Sequence, residues 1–293
     1  MALGVSIANT VVSPEEWEIK LQEQLDEPTK WKKFMDIKYT DTKVYHYPHQ
    51  TDITVQSHVI NTAFTPQVTA QTDQSVTISS SKNYGVYIDR AEEEWSYATQ
   101  MYHANRAAVL LNEGIESTIY ADHANRTDFG AGDVAETSVA DTSTITVSSN
   151  NIDDIITGLL RVVSVAAGDS LVERNGFSIV WRPTDFQKIK IFAMANGFNE
   201  ADYALKTGLK LSQSGLEYMG ATHYSSNLLV ANHVYAGVNN VYTLCVLRKT
   251  YGQLKVADGE ASGFSGVFIN SRVDYQPKVW TLTLPVLFDV NVA

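Results

Sequence analysis

Residues 51–81 read TDITVQSHVINTAFTPQVTAQTDQSVTISSS. Thr and Ser fill 12 of these 31 positions, and Asp52 and Asp73 carry the only charges. Ile53 and Val55 alternate with polar residues, and so do Val76 and Ile78. Side chains of a strand point to alternate faces, so a period of two predicts two long strands. Thr65-Pro66-Gln67 marks the polar bend between them, and Tyr84, Val86 and Ile88 predict a returning strand. A lone two-stranded ribbon is marginal in water, and one with few charges is open to edge pairing. The stretch asks for a partner surface, which points to another chain.

Upstream, Ser13-Pro14-Glu15-Glu16 is a helix start: Ser13 caps, Pro14 suits the first turn and Glu16 completes a capping box. Trp17, Leu21 and Leu25 then fall on one stripe. Five lysines from Lys30 to Lys43 surround Trp31 and Phe34. Residues 1–42 therefore read as an arm, a short helix followed by a basic extended piece. An arm with so little apolar surface cannot fold alone and must lie on something else. Cutting away residues 1–34 is expected to leave the remainder folded. Trp17, Leu21, Trp31, Phe34, Ile53, Val55, Val76 and Ile78 are the candidate subunit-interface residues.

Downstream, Tyr97, Met101, Ala104, Ala108, Leu111, Ile115 and Ile119 recur at helical spacing and predict a long helix from Asp89 to about Ala124. Asp89 and Glu92 to Glu94 stand at its start, where the helix dipole favours carboxylates. Residues 126–150 read as a loop, or a loop plus one strand at 144–147. A second helix follows the cap at Asn150 or Asn151 and stops by Gly168. Phe177-Ser-Ile-Val-Trp181 reads as a strand, and Pro183 opens a third helix closed by Gly197. Gly237-Val-Asn-Asn240 reads as a hairpin turn between strands 234–236 and 241–246. The C-terminal segments 264–269 and 278–292 alternate again.

The chain has 293 residues, 44% of them hydrophobic, enough for a substantial core in one large domain or two. The balance of 22 basic against 33 acidic side chains, net −11, disfavours broad binding to nucleic acid or to an anionic membrane. Cys245, the single cysteine, lies in an apolar strand and reads as a small buried hydrophobe. The start of the chain does not look like a secretory signal, and the longest apolar stretch, 155–167, is too short to span a bilayer. The expectation is a soluble protein made in the cytoplasm.

Chemical motifs are sparse. His46, His49 and Asp52 lack the further ligands and the spacing that a metal site needs. Asp153-Asp154 and Glu92 to Glu94 are explained by their helix starts. No nucleophile elbow, zinc-protease motif, phosphate loop or dinucleotide fingerprint is present. The expectation is no enzyme, no catalytic residue, no cofactor and no metal.

The order of parts is more specific than any one motif. Lys43-Val-Tyr-His-Tyr47 followed by Asp52-Ile-Thr-Val55 resembles the way into the extended loop of the major capsid (coat) proteins of tailed bacteriophages, the Hong Kong ninety-seven capsid fold. Thr72-Asp-Gln-Ser-Val-Thr-Ile78 and Tyr84-Gly-Val-Tyr-Ile-Asp-Arg90 resemble its return into the spine helix. Phe177-Ser-Ile-Val-Trp-Arg-Pro183 and Gly220-Ala-Thr-His-Tyr-Ser-Ser-Asn227 resemble steps of the axial domain.

The resemblance implies an α+β fold: N-terminal arm 1–42, extended β-hairpin loop 43–88, spine helix and peripheral domain 89–150, axial domain 151–247, and returning C-terminal strands 248–293. It implies a virion subunit, assembled in the host cytoplasm into hexamers and pentamers of an icosahedral shell around double-stranded DNA. The implied partners are copies of itself, a portal, separate scaffolding or decoration proteins, and DNA by weak contact, with no membrane. The 42 residues before Lys43 leave no room for a long scaffolding segment. An encapsulin-like nanocompartment shell is the alternative.

Overall fold

The computed structural model describes residues 21–23, 25, 29–50, 57, 60, 66–89, 97–137, 140–167, 169–195, 215–258 and 266–293. Trp31 and Phe34 stand three apart, which puts both on one face of a helical turn. That turn is α1 (Lys30–Phe34), and both aromatic side chains are buried. The chain runs directly into β1 (Met35–Thr40). This strand pairs in parallel with β10 (Tyr242–Leu247), Met35 opposite Tyr242 and Thr40 opposite Leu247. Leu21 and Leu25 are buried in the same core. The described part of residues 21–40 thus belongs to the body, which corrects the expectation of a separable basic arm. Five lysines mask a pair of core aromatics.

The ribbon is β2 (Val44–Gln50) against β3 (Gln71–Thr77), antiparallel from Val44 opposite Thr77 to Gln50 opposite Gln71. Ile53, Val55 and the bend at Thr65 lie outside the described residues. The returning strand is β4 (Ser80–Asp89), and it joins a different sheet. It pairs with β12 (Gly266–Lys278), from Asp89 opposite Gly266 to Ser80 opposite Tyr275. Asp89 is therefore a strand end and not the start of the long helix.

That helix, α2 (Tyr97–Ala121), has 25 residues. At 1.5 Å per residue it extends roughly 37 Å. Ala108, Leu111, Ile115 and Ile119 are buried on one stripe, as their spacing predicts. The chain beyond it is more structured than a loop. It forms β5 (Thr127–Phe129) and the single turn α3 (Ala131–Val134), then a bridge from Ile145 to Val292. Next come α4 (Ile152–Ala167), the unforeseen α5 (Asp169–Asn175), β6 (Phe177–Trp181) and α6 (Pro183–Ala195). Asn151 precedes α4 as the sequence implies, its side-chain oxygen accepting from the Ser148 amide at 2.8 Å.

Strands β7 (Leu216–Tyr218), β8 (Ala221–Ser225), β9 (His233–Val238) and β13 (Leu287–Asn291) complete a six-stranded sheet in the order β5-β13-β9-β6-β8-β7. The five-stranded sheet runs β1-β10-β12-β11, with β11 at Gln253–Asp258 and β4 also on β12. In β6, Phe177, Ile179 and Trp181 pack with α4 and α6, while Val180 packs with α2 and the five-stranded sheet. Both faces of the six-stranded sheet are thus spent within the chain. Continuous burial of β6 explains why it reads as an apolar run.

Two turns depart from expectation. Strands β9 and β10 are consecutive but do not pair; each lies in its own sheet. The Asn239 amide donates to Gly176 O at 3.0 Å and the Asn240 amide to Phe34 O at 2.8 Å. The turn is therefore anchored to other segments and carries the chain between sheets. Residues 284–286 form a 3₁₀ turn and not a strand, and Leu282 and Leu284 point to solvent.

Candidate assembly surface

The expected interface residues divide by burial. Leu21, Trp31 and Phe34 lie in the core between α2 and the five-stranded sheet. Val76 and Ile78 form a small cluster with Cys245, Leu247 and Trp280 at the ribbon's root. These five are buried in the isolated chain, so they offer no docking area, which corrects their assignment. Trp17, Ile53 and Val55 fall outside the described residues. At the root, Tyr47 stacks on Trp280 with centroids 4.9 Å apart, and Trp280 Nε1 donates to Thr243 Oγ1 at 2.8 Å. Burial pushes the Cys245 thiol up to about 12, which fits a packing role.

Beyond the root, apolar side chains stand in water. Ile60 is 80% and Val68 96% exposed, both on the connection between β2 and β3. Val109 and Leu110 are exposed on α2, Val165 on α4 and Ile191 on α6. His46 Nδ1 lies 2.7 Å from Asp73 Oδ2 across the ribbon. Asp52 lies outside the described residues.

Polar groups inside the body are organised around the end of α2. Arg126, buried, donates to the Ile119 carbonyl at 2.5 Å and sits over the Tyr235 and Tyr242 rings. Tyr242 donates to Asp122 at 2.6 Å. Glu116 accepts from Tyr120 at 3.0 Å and Ser226 at 2.7 Å. His223 is fully buried: its Nδ1 accepts from Trp181 Nε1 at 3.0 Å, and its Nε2–H faces the Tyr218 carbonyl at 3.0 Å. Burial holds its pKa down at about 4, so it is neutral at pH 7. Beside Arg126, His123 and His233 stack and face Asp289. Burial and the neighbouring His233 hold His123 below the usual range. Among the described residues no helix is long and apolar enough to cross a membrane.

The sequence matches no protein-family model and no curated protein. Solved structures do match. The capsid of a native gene transfer agent (GTA) particle aligns with a TM-score of 0.61 at 12% identity, covering 90% of each chain. The capsid of Ralstonia phage GP4 aligns at 0.55 and 10% identity, over 88% of this chain and 86% of that one. A virus-like particle from Pyrococcus furiosus aligns at 0.56 and 11% identity, over 94% and 98%. The chain thus has the α+β fold of phage capsid proteins, the Hong Kong ninety-seven type that its order of parts resembles.

Proposed function

We propose that this chain is the major subunit of a virus capsid, assembling with copies of itself into the hexamers and pentamers of an icosahedral shell around double-stranded DNA. The observation that carries the reading is fold likeness to capsid structures over about nine-tenths of both chains. The ribbon adds to it, because Ile60 and Val68 expose apolar surface that a neighbouring subunit would cover. In this reading the ribbon is the extended loop, α2 the spine helix, and the six-stranded sheet with α4 and α6 the axial domain. The five-stranded sheet carries the peripheral part. The role is structural, without catalysis, in the virion. A portal, separate scaffolding or decoration proteins and packaged DNA are the further partners. The net charge of −11 keeps contact with DNA weak and salt-sensitive.

Between Lys43 and Lys82 the loop contains no lysine or arginine, so that stretch offers no amine for covalent welding of subunits. The shell is then held by packing and hydrogen bonds. Electron microscopy of the purified chain tests the reading: closed shells with fivefold vertices are expected, and a monodisperse monomer under all conditions would overturn it. Shells boiled in detergent should run as one band near 32 kDa. A ladder surviving boiling and reductant would contradict non-covalent locking. The Pyrococcus virus-like particle supports a second reading, a compartment shell housing other cargo. Nuclease-protected DNA of uniform length inside native particles would separate the two.

A further inference from the structure

We propose that His123, His233 and Asp289 bind a divalent transition-metal ion of the Zn²⁺ class at the junction of α2 with the six-stranded sheet. The three residues come from separate elements. His123 lies in the 3₁₀ turn Asp122–Asn125 that ends α2, His233 opens β9, and Asp289 is central in β13. Register explains their meeting. Asp289 opposes Tyr235 and Asn291 opposes His233, so Asp289 and His233 are diagonal neighbours on one face, which the end of α2 covers.

One ligand atom from each residue lies within 4.8 Å of the others. His233 Nδ1 is 2.6 Å and His123 Nδ1 3.6 Å from the same oxygen, Asp289 Oδ2. The second distance is too long for a hydrogen bond, so His123 converges on the carboxylate without bonding to it. Ligand bonds of about 2.0–2.2 Å put tetrahedral ligands roughly 3.3 Å apart, within the observed spread. Asp289 supplies the independent sign of a missing ligand. It is 1% exposed, and among the described residues its Oδ1 has no hydrogen-bond partner. A buried carboxylate oxygen without a donor is costly, and a cation beside it removes that cost. Both imidazoles keep about a quarter of their surface open, at 28% and 25%, so a water can fill a fourth position. The nearby Arg126 is engaged elsewhere, on the Ile119 carbonyl and the two tyrosine rings.

Two imidazoles and one carboxylate suit Zn²⁺ or Co²⁺ better than Mg²⁺ or Ca²⁺. The bound ion would join the end of α2 to β9 and β13. The proposal does not depend on whether the chain assembles.

The test uses the full chain, purified without a polyhistidine tag, and reads ion uptake by equilibrium dialysis with Zn²⁺ and visible absorption with Co²⁺. One ion per chain at micromolar concentration is expected, with a melting rise of about 5–10 °C at a hundredfold excess over Kd. Mg²⁺ should give neither. His123→Ala and His233→Ala should each weaken uptake about a hundredfold or more. His123→Gln, which keeps a polar side chain at a partly exposed turn, guards against loss of fold, checked by far-ultraviolet circular dichroism. His46→Ala, at the His–Asp pair on the ribbon, should change nothing. No stoichiometric uptake, or uptake undiminished in folded His123 and His233 variants, overturns the proposal.

Discussion

The six-stranded sheet and the β2–β3 ribbon are built from similar strands and spend them differently. In the sheet, neighbouring residues of β6 serve opposite cores, so this strand is held from both faces. Among the described residues the ribbon is held at its root, by Val76, Ile78 and the stacking of Tyr47 on Trp280. The lesson is that strand content says little about where stability resides; the number of occupied faces does. The faces of the sheet's inner strands are covered within the chain, whereas the connection at the ribbon's tip leaves Ile60 and Val68 exposed.

Five measurements break or sharpen that contrast. The largest effect is expected from deleting residues 1–34, which takes Leu21, Leu25, Trp31 and Phe34 out of the body's core. At about 1.5–3 kcal/mol for each buried side chain, the sum rivals a whole domain's stability. The truncated chain should be insoluble or unfolded by circular dichroism. A folded truncation would return the segment to the status of an arm.

Next, Trp181→Ala should lower unfolding stability by about 3–5 kcal/mol in urea titration, since it empties a fully buried site and leaves His223 Nδ1 without its donor. A loss under about 1 kcal/mol would mean that the sheet is not the anchor.

Acid probes the same place. His223 has a folded pKa of about 4 against 6.5 in the unfolded chain, so the unfolded state binds the extra proton between those values. Stability is therefore full above pH 6.5 and falls as pH drops toward 4, by roughly 3 kcal/mol. Comparing His223→Gln with the parent across that window checks it; identical pH slopes would refute the assignment.

Smaller still, Tyr47→Ala should cost about 0.5–1.5 kcal/mol and show as faster hydrogen exchange in residues 71–77, with 177–181 unchanged. Equal acceleration in both would make ribbon and sheet one cooperative unit. The smallest effect on folding is expected from replacing residues 51–70 by Asn-Gly. Gln50 and Gln71 face each other, so a two-residue turn closes the hairpin. Stability should change by less than about 0.5 kcal/mol while assembly into shells is lost. Shells from this variant would remove the ribbon from the assembly surface.

What could be read from sequence follows the same division. Helix α4 carries apolar residues at helical spacing, β6 is an unbroken apolar run and Pro183 opens α6, so these three lie where the sequence puts them. Segment 30–40 reads as an arm because its lysines outnumber Trp31 and Phe34, and β1 takes its partner from residues about two hundred positions away. The turn at Asn239–Asn240 has hairpin chemistry, yet its amides bond to Gly176 and Phe34, which no local pattern records. His123, His233 and Asp289 are scattered in sequence and meet only through sheet register. The apolar residues left in water, Ile60 and Val68, look in sequence like those that are buried.

The pairing of β4 with β12 has a mechanical meaning. The ribbon leads into β4 within three residues, from Thr77 to Ser80, and β4 is laced to β12 from Ser80 opposite Tyr275 to Asp89 opposite Gly266. A pull directed along that strand loads the whole ladder in shear, so its hydrogen bonds share the tension instead of opening one after another like a zipper. The ribbon is thus a lightly held lever on a strongly riveted hinge plate. Force arriving through it is spread across the thirteen-residue strand β12.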